Sequence, residues 1–305
     1  MEKFDIHFLG CGSAKPTLRH QPSSQVVNFR DKLFMIDCGE GAQLAFCRAH
    51  LKFSRLNHIF ISHLHGDHFF GLFGLTATLA LMGRTAPLHI YAHAELENFL
   101  LNQFGIFARD TAYEICFHPL PKGRETQTIY EDHALTVSTI PLDHAIPACG
   151  FLFREKPSLP HIRRDMIDFL QIPLYAINTI KQGAGWTTPD GETYKHEQLV
   201  LPPNPPRAYA YCSDTKPCPR NIELLKNLDV LYHEATFTLE NKARANQTGH
   251  STAHDAATMA KEAQTRRLII GHYSSRYDTE EPFLNEAQAI FPETQAATEG
   301  MVIHV

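Results

Sequence analysis

The chain has 305 residues, a net charge of −5, 43% hydrophobic residues and 10% aromatic residues. This composition excludes an intrinsically disordered chain, and no apolar stretch approaches the about 20 residues of a membrane-spanning helix. Gly10 precedes any signal-peptide core and the seven cysteines form no Cys-x-x-Cys pair, so we expect a protein of the reducing cytoplasm without a disulfide framework.

Segments rich in β-branched and aromatic residues alternate with helix-like segments along the chain. The predicted strands are 4–9, 33–37, 58–62, 88–92, 135–140, 208–212, 229–232 and 267–270. The predicted helices are 69–82, 94–104, 219–227 and 252–264, the last with Ser251 or Thr252 as its N-cap. This alternation predicts a layered α/β fold.

Residues 154–207 interrupt the alternation. They are rich in proline and contain no clear strand ladder, but they carry a short amphipathic stretch around Ile162–Leu170. We interpret the segment as an arm inserted into a single domain that spans residues 1–305. A long surface loop is the alternative, since loops of this length are uncommon and are usually functional or disordered.

A metal site is indicated by the 19 histidines of the chain. Four candidate ligands, His63, His65, Asp67 and His68, directly follow the apolar run that ends at Ser62. Imidazole and carboxylate suit zinc and related divalent ions, and the lack of thiolate ligands argues against a purely structural zinc site. The turn that Gly66 allows would place the first two ligands on one ion and the last two on a second.

Further ligands are expected at the ends of other strands. His144, Asp214 and His272 each follow an apolar run, where an α/β fold brings loop residues to a shared rim. The predicted ligands of the first ion are His63, His65 and His144, and those of the second are Asp67, His68 and His272. Asp214 is predicted to bridge the two ions through its two carboxylate oxygens.

Four of these candidate ligands lie in a motif that resembles that of a known protein superfamily. The H-x-H-x-D-H motif at 63–68 is similar to the hallmark of the metallo-β-lactamase superfamily. Other segments resemble its ribonuclease Z family of tRNA 3′-end processing endonucleases: FLGCGSAKPT near the start, MIDCGEGAQ at 35–43, His233–Thr236, Gly249–Ser251 and His272–Tyr277. The sequence departs from that family at Ile172–Tyr175 and at Pro16–His20.

The resemblance implies a four-layer αβ/βα metallo-β-lactamase sandwich, usually a homodimer, with the metals at one edge. It implies two Zn²⁺ ions per subunit, with Mn²⁺ or Fe²⁺ as alternatives, and precursor tRNA as the partner. Residues 154–207 would be a tRNA-binding arm. Their seven basic and six acidic side chains form no basic patch, so the RNA partner follows from the resemblance alone.

The implied reaction is removal of the 3′ trailer from precursor tRNA by activated hydroxide, leaving a 3′-hydroxyl on the tRNA and a 5′-phosphate on the trailer. Asp67 would orient the water or take its proton, and His250, steered by Glu234, would protonate the leaving oxygen. Without the resemblance, His250 is equally a neighbour of a helix cap and Glu234 a solvated carboxylate. For His233 and Arg276, phosphate contact and a structural role both remain open.

Two other functions remain open at this point. The same metal ligands would serve a hydrolase of small molecules, such as a phosphodiesterase, although the arm has no obvious use for a small substrate. A non-catalytic RNA- or protein-binding relative is the third possibility, and the complete set of seven predicted ligands argues against it.

Overall fold

The computed structural model describes residues 2–107, 113–123 and 125–305. The strands, in chain order, are β1 (Phe4–Gly10), β2 (Ser24–Phe29), β3 (Lys32–Ile36), β4 (Leu56–Phe60), β5 (Leu88–Ala92), β6 (Ile115–Pro119), β7 (Thr128–Glu131), β8 (Leu135–Pro141), β9 (Cys149–Glu155), β10 (His161–Ile162), β11 (Trp186–Thr187), β12 (Thr193–Tyr194), β13 (Val200–Leu201), β14 (Ala208–Cys212), β15 (Val230–Glu234), β16 (Leu268–Gly271), β17 (Thr294–Ala296) and β18 (Val302–His304).

The helices, in chain order, are α1 (Ala42–Arg48), α2 (Gly66–Phe69), α3 (Gly71–Leu81), α4 (Glu95–Phe107), α5 (Arg164–Phe169), α6 (Leu174–Lys181), α7 (His196–Leu199), α8 (Lys242–Thr248), α9 (Ala253–Glu262) and α10 (Glu281–Gln288). Among the described residues, no helix combines the length and the apolar character that a membrane crossing requires.

Two seven-stranded sheets form the centre of the fold, in the orders β18-β1-β2-β3-β4-β5-β6 and β17-β16-β15-β14-β9-β8-β7. The sheets pack face to face, since the Phe60 ring lies 5.4 Å from that of Phe151 and 5.8 Å from that of Phe153. Apolar residues of α1, α3 and α4 cover the first sheet, and α9 packs on β15 and β16 of the second. The result is the expected four-layer αβ/βα sandwich.

Parallel pairing brings the site residues together. In the first sheet β3 pairs in parallel with β4, so Asp37 and the 61–65 loop leave the sheet at the same edge. In the second sheet β14, β15 and β16 are parallel neighbours, with Cys212 opposite His233 and Glu234 opposite Gly271. The carboxyl ends of parallel strands lie at one edge of a sheet, and each of these strands therefore delivers its next residues to one rim.

Residues Arg154–Arg207 form, with Glu131–Thr136, a second compact unit of the chain. It contains α5 to α7 and two short ribbons, β10 paired with β13 and β11 paired with β12, so the expectation of no strand ladder was wrong. A small core of its own, built from Leu170, Ile172, Ala176, Ile180 and Leu199, holds the unit together. The segment is therefore not the long loop that was the alternative.

Two helix predictions differ from the structure. The predicted helix 219–227 is only a 3-10 turn at Pro219–Asn221. The side-chain amide of Asn221 donates to the Pro141 carbonyl, and Asn227 adopts a left-handed φ of 57°, so the helix does not continue. The predicted helix 69–82 is divided into α2 and α3 because the Gly71 N–H donates to the Cys38 carbonyl at 2.9 Å. Tertiary hydrogen bonds override the helical pattern in both places.

Other elements had no sequence prediction: β2, β6, β7, β9, β17, β18, α1, α8 and α10, and, within residues 154–207, β10 to β13, α6 and α7. The predicted helix 252–264 is confirmed as α9. Its N-cap is Thr252, whose hydroxyl accepts from the Asp255 N–H while the Asp255 carboxylate accepts from the Thr252 N–H. This reciprocal capping box starts the helix directly after His250 and Ser251, and so fixes where both side chains lie.

Candidate metal centre and active site

The first group of predicted ligands lies together at the rim. His63, His65, His144 and Asp214 each offer a ligand atom, and these atoms all lie within 4.8 Å of one another. His65 Nδ1 is 3.1 Å from His63 Nε2 and 3.3 Å from His144 Nε2. Ligand nitrogens of one tetrahedral Zn²⁺, at about 2.0–2.1 Å from the ion, are separated by about 3.3 Å. The three histidines are therefore spaced as ligands of one cation.

The second group consists of Asp67, His68 and His272, and Asp214 joins it to the first. Asp214 Oδ1 lies 3.2 Å from His272 Nε2 and 3.4 Å from His68 Nε2, while its Oδ2 lies 3.6 Å from His63 Nε2. Asp67 Oδ2 is 3.5 Å from His68 Nε2. The two oxygens of Asp214 thus face different ligand groups, as a bridging carboxylate would.

Two orphaned nitrogens test whether a metal fits. The Nε2 atoms of His68 and His272 are buried without a hydrogen-bond partner among the described residues. An unpaired buried polar atom is costly, and native structures contain few. A divalent cation that accepts both lone pairs removes that cost. The donor set of histidines and carboxylates suits Zn²⁺ and related divalent ions.

The opposite ring nitrogens of the ligands are held by hydrogen bonds. His144 Nδ1 donates to the Gly249 carbonyl at 2.8 Å, and His272 Nδ1 donates to Thr236 Oγ1 at 2.8 Å. His68 Nδ1 donates to Asp37 Oδ2 at 2.7 Å. Each bond leaves the Nε2 lone pair free to bind a metal and fixes the orientation of the ring.

Sequence reasoning missed Asp37 as a functional residue, although it lies in the MIDCGEGAQ segment. Its carboxylate is fully buried and accepts from the Ser62 N–H at 2.7 Å, the Ser62 hydroxyl at 2.9 Å and the Tyr211 hydroxyl at 2.7 Å, besides His68. A signal was present, because an acidic residue directly after an apolar strand is unusual. It was the same signal that pointed to Asp214.

The charges of the site shift the pKa of its carboxylates. Burial alone would raise the pKa of Asp214, but His272, His68 and His63 hold it well below its usual range. Burial alone would also raise the pKa of Asp67, but His272 and His68 lower it strongly. Both carboxylates are therefore ionised at neutral pH, the state in which they bind metals.

Glu234 and His250 lie beside the ligand groups. Glu234 is fully buried and not a solvated carboxylate; His250 Nδ1 donates to its Oε1 at 2.8 Å. Glu234 also accepts from the N–H groups of Thr215 at 3.1 Å and Ser251 at 3.0 Å. Burial alone would lower the pKa of His250, but Glu234 raises it to about 9. Glu234 therefore holds the imidazole and favours its protonated form.

A cleft of about 610 Å³ exposes these groups, with His65, Asp67, His144, Asp214 and His250 among its lining residues. The loop after β1 forms one wall, and its Ala14 N–H donates to Asp67 Oδ2 at 2.8 Å. His233 does not reach the cleft; it is buried and its Nδ1 donates to the Glu234 carbonyl. Arg276 is exposed.

Comparison with known proteins gives matches over the whole chain. The family model described as Anti-Pycsar protein Apyc1 matches residues 4–156, and that described as Beta-lactamase superfamily domain matches residues 195–273. The Ribonuclease Z of Bacteroides fragilis (strain YCH46) is 54% identical over 303 residues, which cover 99% of each chain. That of Phocaeicola vulgatus is 53% identical over 305 residues, covering 100% of this chain and 98% of the relative.

Among solved structures, the crystal structure of human tRNase Z, short form, matches with a TM-score of 0.71 and 25% identity, and the match covers 98% of both chains. The two family models together contain all seven predicted ligands. The second also contains Glu234 and His250. The full-length relatives, in contrast with either model alone, also cover residues 154–207.

The Asp37 carboxylate generates a prediction about metal affinity. Asp37→Asn removes the negative charge that orients and polarises His68, and we expect metal affinity to fall by about 10- to 100-fold. Competition against a chromogenic zinc chelator measures the change. Asp31→Asn, which alters an exposed carboxylate paired with Lys3, is the matched control. Unchanged affinity in Asp37→Asn would show that His68 needs no such support.

Proposed function

Because this chain belongs to the ribonuclease Z family of metal-dependent endoribonucleases, within the metallo-β-lactamase superfamily, we propose that it removes the 3′ trailer from precursor tRNA. The observation that carries the proposal is that His250, held by the buried Glu234, lines one cleft with members of both ligand groups. Seven ligands alone would serve any hydrolase of this fold. A buried, glutamate-held histidine beside them supplies what a poor alkoxide leaving group needs.

We assign two Zn²⁺ ions per subunit to the two ligand groups. His63, His65 and His144 would hold the first ion, Asp67, His68 and His272 would hold the second, and Asp214, which faces both groups, would contribute a ligand to each. When bound, two such cations lower the pKa of a water molecule to near neutrality and polarise a phosphoryl oxygen. The spacing of the ring nitrogens and the orphaned Nε2 atoms of His68 and His272 support this assignment.

The residues of the chain then divide the proton transfers. Asp67, which lines the cleft and is fixed by the Ala14 N–H, orients the attacking water and takes its proton. The bond between phosphorus and the 3′ oxygen of the upstream nucleotide breaks. His250 gives its Nε2 proton to that oxygen, which leaves a 3′-hydroxyl on the tRNA and a 5′-phosphate on the trailer. Glu234 holds the imidazole through Nδ1 and so directs Nε2 to the cleft.

The decisive experiment uses an end-labelled precursor tRNA with a 3′ trailer, beside the same tRNA already trimmed, with zinc or manganese supplied. We expect a single cut near the discriminator base, lost on chelation and restored by metal. If the metal-loaded protein makes no cut but still hydrolyses bis(p-nitrophenyl) phosphate, the proposal fails, and a small-molecule phosphodiesterase replaces it.

The variant His250→Gln tests whether His250 is the acid that protonates the leaving oxygen. A 3′ alkoxide needs a proton to leave and p-nitrophenolate does not, so RNA cleavage should fall by about 10²- to 10⁴-fold more than hydrolysis of bis(p-nitrophenyl) phosphate. His254→Gln, on α9 and outside the cleft lining, is the control. An equal loss on both substrates would contradict the role of His250 as the acid.

We propose that residues 154–207 are the arm that binds tRNA. The exposed surface of this unit carries Phe169, Leu174 and Tyr175, with exposures of 74%, 85% and 80%. Basic and acidic side chains are nearly balanced in the segment, so charge alone does not supply the affinity. Exposed aromatic and apolar side chains offer stacking and packing contacts in its place.

Replacing both Leu174 and Tyr175 by serine tests the arm. Since both side chains are exposed, the variant should fold, and KM for precursor tRNA should rise about 5- to 30-fold, the loss of an interface hot spot. Hydrolysis of bis(p-nitrophenyl) phosphate provides the reference rate. Asn178→Ser, an exposed polar change on α6, is the matched control. An unchanged KM in the double variant would remove the arm from substrate binding.

We propose that the enzyme is a homodimer. Leu44, Leu81, Met82 and Phe99 are exposed on α1, α3 and α4 and at their ends. These helices are neighbours, since Gln43 donates to Thr78 at 2.6 Å and the Phe73 and Phe99 rings lie 5.2 Å apart. Exposed apolar side chains on adjoining helices mark protein interfaces. A second copy of the chain is the partner that the family resemblance implies.

Sedimentation equilibrium at about 10 µM should give the mass of two chains, and Leu81→Asp with Phe99→Asp should give one, because buried unpaired charge opposes association. Leu239→Asp, an exposed leucine outside this surface, is the control. A monomeric parent protein would overturn the dimer.

We place the enzyme in the cytoplasm. Its seven cysteines are free thiols, five of them buried, which suits a reducing compartment.

A further inference from the structure

His93 directly follows β5 and has no role in the proposed reaction. His93 is only 3% exposed, and neither of its ring nitrogens has a hydrogen-bond partner among the described residues. A buried imidazole with both nitrogens unpaired is costly in free energy, and such groups are rare unless something binds to them. We therefore looked for a ligand that could hydrogen-bond to His93.

A cavity of about 240 Å³ lies against His93, with Lys122, Thr139, Asp143 and His144 among its lining residues. His144 also lines the metal cleft, so the cavity and the cleft are neighbours on either side of one predicted metal ligand. A nucleotide next to one whose phosphate enters the cleft is therefore a candidate occupant of this cavity.

The lining excludes two classes of ligand. Lys122 is already paired with Glu95 at 2.7 Å and Asp143 adds negative charge, so the cavity is not built for a phosphate. His93 belongs to none of the groups of three or more metal-ligating side chains found among the described residues, so it is not a further metal site. What remains is a neutral, polar ligand of small size.

The hydrogen-bonding capacity of His93 limits which chemical class of ligand fits the cavity. Burial lowers the pKa of His93, and a neutral imidazole offers one donor and one acceptor. The edge of a nucleobase presents donors and acceptors side by side, and proteins that read single-stranded RNA hydrogen-bond to such edges.

We propose that this cavity receives one nucleobase of the RNA strand beside the scissile phosphate, and that His93 hydrogen-bonds to its edge. The inference rests on the proposed function and deepens it. The cavity would hold the strand in register, so that the correct phosphodiester lies between the metals and His250. His93 is in this proposal a substrate-binding residue and takes no part in proton transfer.

The test is a double-mutant cycle between protein and RNA. Precursor tRNAs are prepared that each lack one base, at the discriminator or at one of the first three trailer nucleotides, and kcat/KM is measured for the parent enzyme and for His93→Ala. We expect His93→Ala to lower kcat/KM on intact RNA about 10-fold. At one position the abasic RNA should be cleaved equally by both enzymes, because the contact is already absent.

Two further variants distinguish a contact between His93 and the base from a structural role of His93. His93→Gln retains a donor and an acceptor and should recover part of the loss on intact RNA, which a purely structural role would not predict. His118→Ala, a histidine of the same sheet outside the cavity, should behave as the parent. Zinc content of each variant is measured, so that a damaged metal centre is recognised.

The inference is overturned if, at every position, the loss of kcat/KM caused by His93→Ala multiplies with the loss caused by removing the base. An unchanged kcat/KM for His93→Ala on intact RNA would overturn it as well. A parent enzyme that fails to cut precursor tRNA at all would instead overturn the proposed function. The two failures are therefore distinguishable.

Discussion

The structure of the site depends on one buried carboxylate, that of Asp37. It lies where β3 ends, in a left-handed backbone conformation with a φ of 54°, and accepts hydrogen bonds from Ser62 and His68 in the first half of the chain and from Tyr211 in the second. Burying a charge is costly unless hydrogen bonds compensate it. Only the packed arrangement of both sheets supplies these donors. The orientation of His68 is thus a consequence of how the two sheets meet.

A second buried carboxylate, Glu234, does the same for the opposite side of the cleft. It accepts from the Thr236 N–H at 2.9 Å and the Thr236 hydroxyl at 2.8 Å, in addition to Thr215, Ser251 and His250. Thr236 in turn accepts from His272 Nδ1. One carboxylate therefore positions both a predicted metal ligand and the proposed proton donor. Substitution of Glu234 would disturb metal binding and proton transfer together, whereas His250 separates the two roles.

Much of this arrangement follows from sequence because strand ends are visible in sequence. His144, Asp214 and His272 were predicted as ligands from their place after apolar runs, and the structure brings them together with His63–His68. The residues that orient the ligands were harder to predict. Thr236 and Asp37 act through hydrogen bonds across the fold, and nothing in local spacing reveals which partner they meet.

The same limit explains the errors in secondary structure. The segment 219–227 has a helical pattern, yet Asn221 bonds to Pro141, about 80 residues earlier in the chain. In residues 154–207 the strands are only two residues long, too short to leave an alternating pattern. Local periodicity predicts long elements packed on a sheet, and it fails where distant contacts or very short ribbons decide the conformation.

The net charge of the chain bears on how it would bind RNA. A negative protein with a nearly neutral arm cannot attract a polyanion through clustered lysine and arginine. Divalent cations at the rim would reverse the sign of the local charge, because their charge exceeds that of Asp67 and Asp214. Attraction would then be confined to the phosphate that is to be cut. If the chain binds precursor tRNA as proposed, the rest of the recognition comes from contacts away from that phosphate, made by the exposed side chains of residues 154–207 and by the cavity at His93. Contacts at several separate places favour a folded RNA over an arbitrary single strand.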